Sequence, residues 1–122
     1  MPGTIVSDTS CLILLNKLQK LTILKKLFGE IIITEEVANE YGEPLPEFIK
    51  IDSIKDKNYQ RILETKLDKG EASVIALAID KVDCLLILDD HKARNETKQL
   101  ELNYTGTIGI FMLAIEKKFI ED

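Results

Sequence analysis

Residues 84–94 read Cys-Leu-Leu-Ile-Leu-Asp-Asp-His-Lys-Ala-Arg, five apolar side chains that run without a break into two carboxylates. A short, wholly apolar run rich in branched residues predicts a strand covered on both faces, and such strands belong to parallel sheets. In open parallel sheets the ligand crevice lies just beyond the carboxyl ends of the strands. Asp89 and Asp90 stand at that end, either to cap a helix or to hold a metal.

The rest of the chain alternates in the same way. Thr4 to Ser7 predicts a strand that ends in Asp8, followed by an apolar helix from about Cys11 to Leu18 and a second over Leu21 to Phe28. Leu24, Leu27 and Phe28 take i, i+3, i+4 spacing, and Gly29 stops that helix. Ile31 to Ile33 predicts a buried strand, with Thr34 as N-cap of a helix over Glu35 to Tyr41. A loop from Gly42 to Pro46 leads to a minor strand at Phe48 to Ile51. Asn58 to Leu67 places Tyr59, Ile62, Leu63 and Leu67 on one helical face. The next helix, Gly70 to Lys81, is apolar nearly all round and is expected to be well buried. A helix from His91 to about Leu100, a strand at Leu102 to Thr105 and a last helix to about Lys118 complete the pattern. The expectation is a three-layer α/β/α sandwich on a central parallel sheet of about four strands, at 4–7, 31–33, 84–88 and 102–105.

The 122 residues suit one domain over 1–122, and 45% hydrophobic with 30% charged residues is an ordinary globular balance. A net charge of −5 argues against nucleic-acid binding by bulk electrostatics, so such binding needs a local basic patch or bound cations. No apolar run approaches the roughly 18 residues of a membrane span. The N-terminus lacks a basic stretch before its first acid, so the expectation is a cytoplasmic chain without a signal peptide. Cys11 and Cys84 sit among Leu and Ile and read as small buried hydrophobes in a reducing compartment.

The acids divide into those that capping explains and those that it does not. Asp8, Asp89 and Asp90 each precede a predicted helix, where an Asp satisfies free N–H groups. Asp68 and Glu71 have capping-box spacing, and Asp90 and Arg94 are spaced for an i, i+4 ion pair. Glu40 lies on or beside the apolar stripe of its helix, with no Lys or Arg at i±3 or i±4. Glu71 opens a helix with almost no polar face. A carboxylate directed at apolar neighbours needs a cation or a donor. The carboxyl ends of parallel strands share one edge, which brings Asp8 and Asp89/Asp90 together with helices carrying Glu40 and Glu71. Converging carboxylates either protonate or are neutralised by a cation. All-oxygen ligands favour Mg²⁺ or Mn²⁺, and phosphodiester hydrolysis is the chemistry that suits such a site.

Taken together, IVSDTS (5–10), ITEEVANEYG (33–42), LDKGEASVIALA (67–78), LLILDDHKAR (85–94) and GTIGIFMLA (106–114) resemble the PIN-domain family of metal-dependent nucleases. The combination of LDxGEA, LDDxxAR and GTxG resembles a prokaryotic branch that looks like the VapC-type toxins, which cleave RNA. The resemblance implies catalytic acids at Asp8, Glu40, Glu71 and Asp90, with Asp8, Glu71 and Asp90 also as metal ligands. Leu88 stands where the family usually has Thr, so Asp89 remains an equal candidate for the role of Asp90. Ser10 and Thr107 match polar positions lining the site. The implied cofactor is Mg²⁺ or Mn²⁺, with an activated water and no covalent intermediate. The implied partners are RNA, a second copy in a homodimer and, for toxins, a small antitoxin.

The chain is short for that family between Glu40 and Asn58, and it is acidic. Lys92 and Arg94 follow the acidic pair and are the candidate phosphate or RNA contacts. Lys17, Lys20, Lys25 and Lys26 read as a solvated helix face, and His91 as an exposed first-turn residue. The contrasting reading is a non-catalytic PIN-like dimerisation or partner-binding module whose acids only cap helices. A phosphatase using an aspartate nucleophile would place a second Asp two residues after the first, where this chain has Ser10.

Overall fold

In a computed structural model, which describes residues 2–120, the chain folds as a single all-parallel sheet flanked by seven helices. The strands are β1 (Thr4–Ser7), β2 (Ile31–Ile33), β3 (Ile49–Ile51), β4 (Cys84–Ile87) and β5 (Asn103–Thr105). The helices are α1 (Thr9–Lys17), α2 (Thr22–Phe28), α3 (Glu35–Tyr41), α4 (Asn58–Leu63), α5 (Lys69–Ile79), α6 (His91–Gln99) and α7 (Thr107–Glu116). The minor strand after the proline loop is a full member of the sheet. It pairs with β2 at one edge, so the sheet has five strands rather than about four.

The strand order is β3-β2-β1-β4-β5. The chain winds from β1 outward to β3, then returns to the other side of β1 as β4 and continues outward to β5. The winding reverses between β1 and β4, which makes the gap beyond their carboxyl ends the crevice of an open α/β sheet. Register places Ser7 opposite Ile87 and Ile87 opposite Thr105. Beyond the ladders, the Asp8 amide donates to the Ile87 carbonyl at 2.8 Å and the Leu88 amide to the Thr105 carbonyl at 2.9 Å. Asp8, the Leu88–Asp89 segment and Gly106-Thr107 therefore lie side by side.

Helix α5 is the buried element that its composition predicts. Every residue from Ala72 to Ala78 is in the core, and the helix packs on β1 and β4 while touching α3, α4 and α6. Val6, Leu86 and Ile87 in the central strands are fully buried, with apolar side chains covering both faces. Two expectations need correction. Helix α4 ends at Leu63 and residues 64–67 form a turn, so Leu67 reaches the core from outside the helix. Its inward face is Gln60 and Leu63, while Ile62 is 58% exposed. Cys11 and Cys84 are free and buried, and burial pushes both thiols up to about 11.

Candidate metal and nuclease site

Asp8 follows the last residue of β1 and occupies the N-cap position of α1, yet its side chain makes no cap hydrogen bond. It is 4% exposed, and its Oδ1 is buried without a hydrogen-bond partner. Burial is the main cause that raises this carboxyl from its ordinary 3.8 to about 7. The pull of the Thr9 amide partly offsets the rise, and the negative charges of Glu71, Asp68 and Glu40 reinforce it. An acid with an unmet buried oxygen inside a negative field takes up either a proton or a cation.

Glu40, in the last turn of α3, is exposed rather than buried in the apolar stripe of its helix, which corrects the expectation from its helical position. Its Oε1 accepts the hydroxyl of Thr9, the buried first residue of α1. Glu71 and Asp68 form a complete capping box. Asp68 Oδ1 accepts the Glu71 amide at 2.8 Å, and Glu71 Oε1 accepts the Asp68 amide at 3.3 Å. Burial raises the Glu71 carboxyl above its usual range; the Asp68 amide opposes this, while the charges of Asp68, Asp90 and Glu40 add to it. Gly70 lies between these acids. A Cβ there would stand 3.0 Å from Glu40 Oε1 and 3.5 Å from Asp8 Oδ1, so the bare backbone makes room for both carboxylates.

The two adjacent aspartates have different surroundings. Asp89 gives both oxygens to Thr107, accepting the amide at Oδ1 (2.8 Å) and the hydroxyl at Oδ2 (2.6 Å). Asp90 caps α6 through Oδ2, which accepts the Ala93 amide at 3.0 Å. Its charge reaches Glu71. Among the described residues Arg94 forms no ion pair with Asp90. Instead its Nε donates to the Leu88 carbonyl at 3.1 Å, and its guanidinium lies 5.4 Å from the centre of the Tyr104 ring. A Cβ on Gly106 would run into that guanidinium and stand 2.6 Å from Asp89 Oδ1. Lys92, His91 and Ser10 are exposed.

Asp8, Glu40, Asp68, Glu71 and Asp90 thus share one electrostatic neighbourhood, with Asp89 turned toward α7. Among the described residues, no three His, Cys, Asp or Glu side chains are gathered closely enough to hold a metal ion as they stand. The residues nonetheless fit a hard cation, because the donors are all oxygens and the buried Oδ1 of Asp8 lacks any other partner. Asp68, read from the sequence only as the capping partner of Glu71, adds its charge to the site, and Thr9 and Gly70 join it only through the structure. Their sequence signals were a hydroxyl directly after Asp8 and the small residue directly before Glu71.

A family model described as PIN domain matches residues 4–122 of the chain. No curated protein matches it.

Proposed function

This chain belongs to the PIN-domain family, whose members are generally nucleases that use divalent metal ions, and on that premise we propose that it is a Mg²⁺- or Mn²⁺-dependent endoribonuclease. The observation that carries the reading is the buried, unpartnered Oδ1 of Asp8 at the point where the winding of the sheet reverses. In this reading Asp8, Glu71 and Asp90 are the ligand set, and Asp90 is preferred to Asp89 because Thr107 occupies both oxygens of Asp89. Glu40 is the fourth acid, oriented by the Thr9 hydroxyl and able to take a proton from an attacking water. A divalent cation, when bound, supplies positive charge against these acids and against the phosphodiester under attack. Glu40 and Asp90 are exposed and Glu71 half-buried, which leaves their carboxylates accessible to an ion from solvent. Exposed Lys92 would meet a phosphate, and Arg94 holds the segment that presents Asp90 through the Leu88 carbonyl.

The same proposal extends to a toxin with an antitoxin partner and a homodimeric state. Ile13, Leu14 and Leu18 at α1, and Ile108 and Met112 on α7, supply exposed apolar surface for protein contacts. Its test is Asp8→Asn, which is expected to abolish Mn²⁺-dependent cleavage of RNA while the protein stays folded. Unchanged cleavage by the purified variant would sink the assignment.

A non-catalytic interaction module is the second reading. It is favoured by Asp68, Asp89 and Asp90 each holding an amide at a helix start. Calorimetry with Mn²⁺ separates the two, since the module predicts no saturable binding at millimolar metal.

A further inference from the structure

Two buried hydroxyls join the helices that carry Glu40 and Glu71, and no step of the proposed reaction uses them. Thr34 precedes α3 and Ser73 lies in the first turns of α5; each is 2% exposed. Their oxygens are 2.7 Å apart, although 39 residues separate them in the chain. Ser73 Oγ donates to the Gly70 carbonyl at 2.7 Å, which uses its one proton. Thr34 must therefore donate to Ser73, and Thr34 Oγ1 in turn accepts the Val37 amide at 3.1 Å. The direction is fixed throughout: Val37 N–H to Thr34, Thr34 O–H to Ser73, and Ser73 O–H to the Gly70 carbonyl.

This chain of bonds ends on the carbonyl of Gly70, the residue whose missing Cβ would stand 3.0 Å from Glu40 Oε1 and 3.5 Å from Asp8 Oδ1. It also ties the start of the helix carrying Glu40 to the first turn of the helix carrying Glu71. Capping of α3 requires only the bond from Thr34 to Val37. The further bonds through Ser73 are superfluous for a cap and are buried, where a satisfied polar network sets one geometry.

Resting on the metal-site reading above, we infer that the Thr34–Ser73 hydroxyl pair is a positioning element that sets Gly70 and Glu71 against Asp8 and Glu40. Removing a group that hydrogen-bonds a metal ligand commonly costs about 10–100-fold in affinity; this pair acts one step further out, through the Gly70 carbonyl, so the lower end of that range is expected. Ser73→Ala deletes the link and leaves the Thr34 cap in place. Thr34→Ser keeps the whole chain of bonds.

The test is Mn²⁺ titration by calorimetry of the full-length protein, with thermal unfolding measured on the same samples. Ser73→Ala is expected to weaken Mn²⁺ binding by up to about tenfold, while Thr34→Ser binds as the wild type does. A Ser73→Ala protein that melts lower but binds Mn²⁺ unchanged overturns the inference, because that is the outcome of a purely structural bond. So does an equal loss in Thr34→Ser, which would make the threonine methyl rather than the hydroxyl responsible. Wild-type protein without saturable Mn²⁺ binding removes the metal-site reading and this inference together. Wild-type binding that Ser73→Ala leaves intact removes this inference alone.

Discussion

Asp89 holds Thr107 through both of its oxygens, at 2.8 Å to the amide and 2.6 Å to the hydroxyl. It therefore ties the end of β4 to the start of α7, although Gly106 is the formal N-cap of that helix. Asp90, one residue on, spends a single oxygen on its own helix. Neighbouring carboxylates of the same type thus carry different expectations.

Asp89→Ala removes two bonds to a buried residue and is expected to cost about 1–2 kcal/mol of stability. Asp90→Asn keeps a good N-cap and should stay within about 0.5 kcal/mol of the wild type, but lose Mn²⁺-dependent cleavage. Urea unfolding and a cleavage assay on both variants check the pair of outcomes. Full activity in Asp90→Asn would shift the ligand role back to Asp89.

Asp8 makes the stability of the metal-free protein depend on pH in an unusual direction. Its folded carboxyl lies near 7, against 3.8 as the ordinary value. The folded state therefore retains a proton that the unfolded chain releases, and the stabilisation is complete below about pH 4. It is lost as pH rises toward 7, by roughly 4 kcal/mol for this one group. Asp8→Asn abolishes the titration, so the stability difference between the variant and the wild type should grow in favour of Asn from pH 4 to pH 7.5. Denaturant midpoints across that range measure it. Added Mn²⁺ should reverse the order at pH 7.5, since the cation competes with the proton.

Gly70→Ala sets local preference against the site. Alanine is favoured over glycine in a helix by about 1 kcal/mol, and the end of the Glu40 side chain can swing away from a new methyl group. The fold is expected to be kept or slightly stabilised, with weaker Mn²⁺ binding, because the added carbon occupies the space between Glu40 and Asp8. Unchanged metal affinity in calorimetry would show that the approach to Gly70 has no bearing on binding.

Arg94 and Lys92 should separate in the same way. Arg94→Ala loses the bond to the Leu88 carbonyl and the Tyr104 contact, at a cost of about 1–2 kcal/mol. Exposed Lys92→Ala should leave stability within about 0.5 kcal/mol of the wild type and raise KM for RNA, with kcat little altered. The measurements are urea midpoints and steady-state cleavage kinetics.

Much of the architecture was legible in the residues themselves. Apolar runs such as Cys84 to Leu88 and Ile31 to Ile33 are local signals of buried parallel strands, and Asp8 and Asp89/Asp90 follow two such strands directly. The edge strand Ile49–Ile51 was harder to read, since three residues with a central Lys carry little periodic signal. The end of α4 is hidden from the sequence because Leu67 completes an i, i+4 pattern with Leu63 even though a turn, not a helix, carries it inward.

By itself the sequence determined the alternation of strand and helix, the shared edge to which the acids belong, and the all-oxygen character of the donors. Each follows from short-range pattern and residue type. Only the tertiary structure decided that β1 and β4 are neighbours, that Asp8 caps nothing, that Asp89 serves Thr107, and that Gly70 is held between two carboxylates and a hydroxyl relay. These depend on partners such as Thr9 with Glu40, 31 residues apart, and Thr34 with Ser73, 39 apart. Side-chain orientation at such separations is set by how the helices pack on the sheet, which local periodicity does not encode.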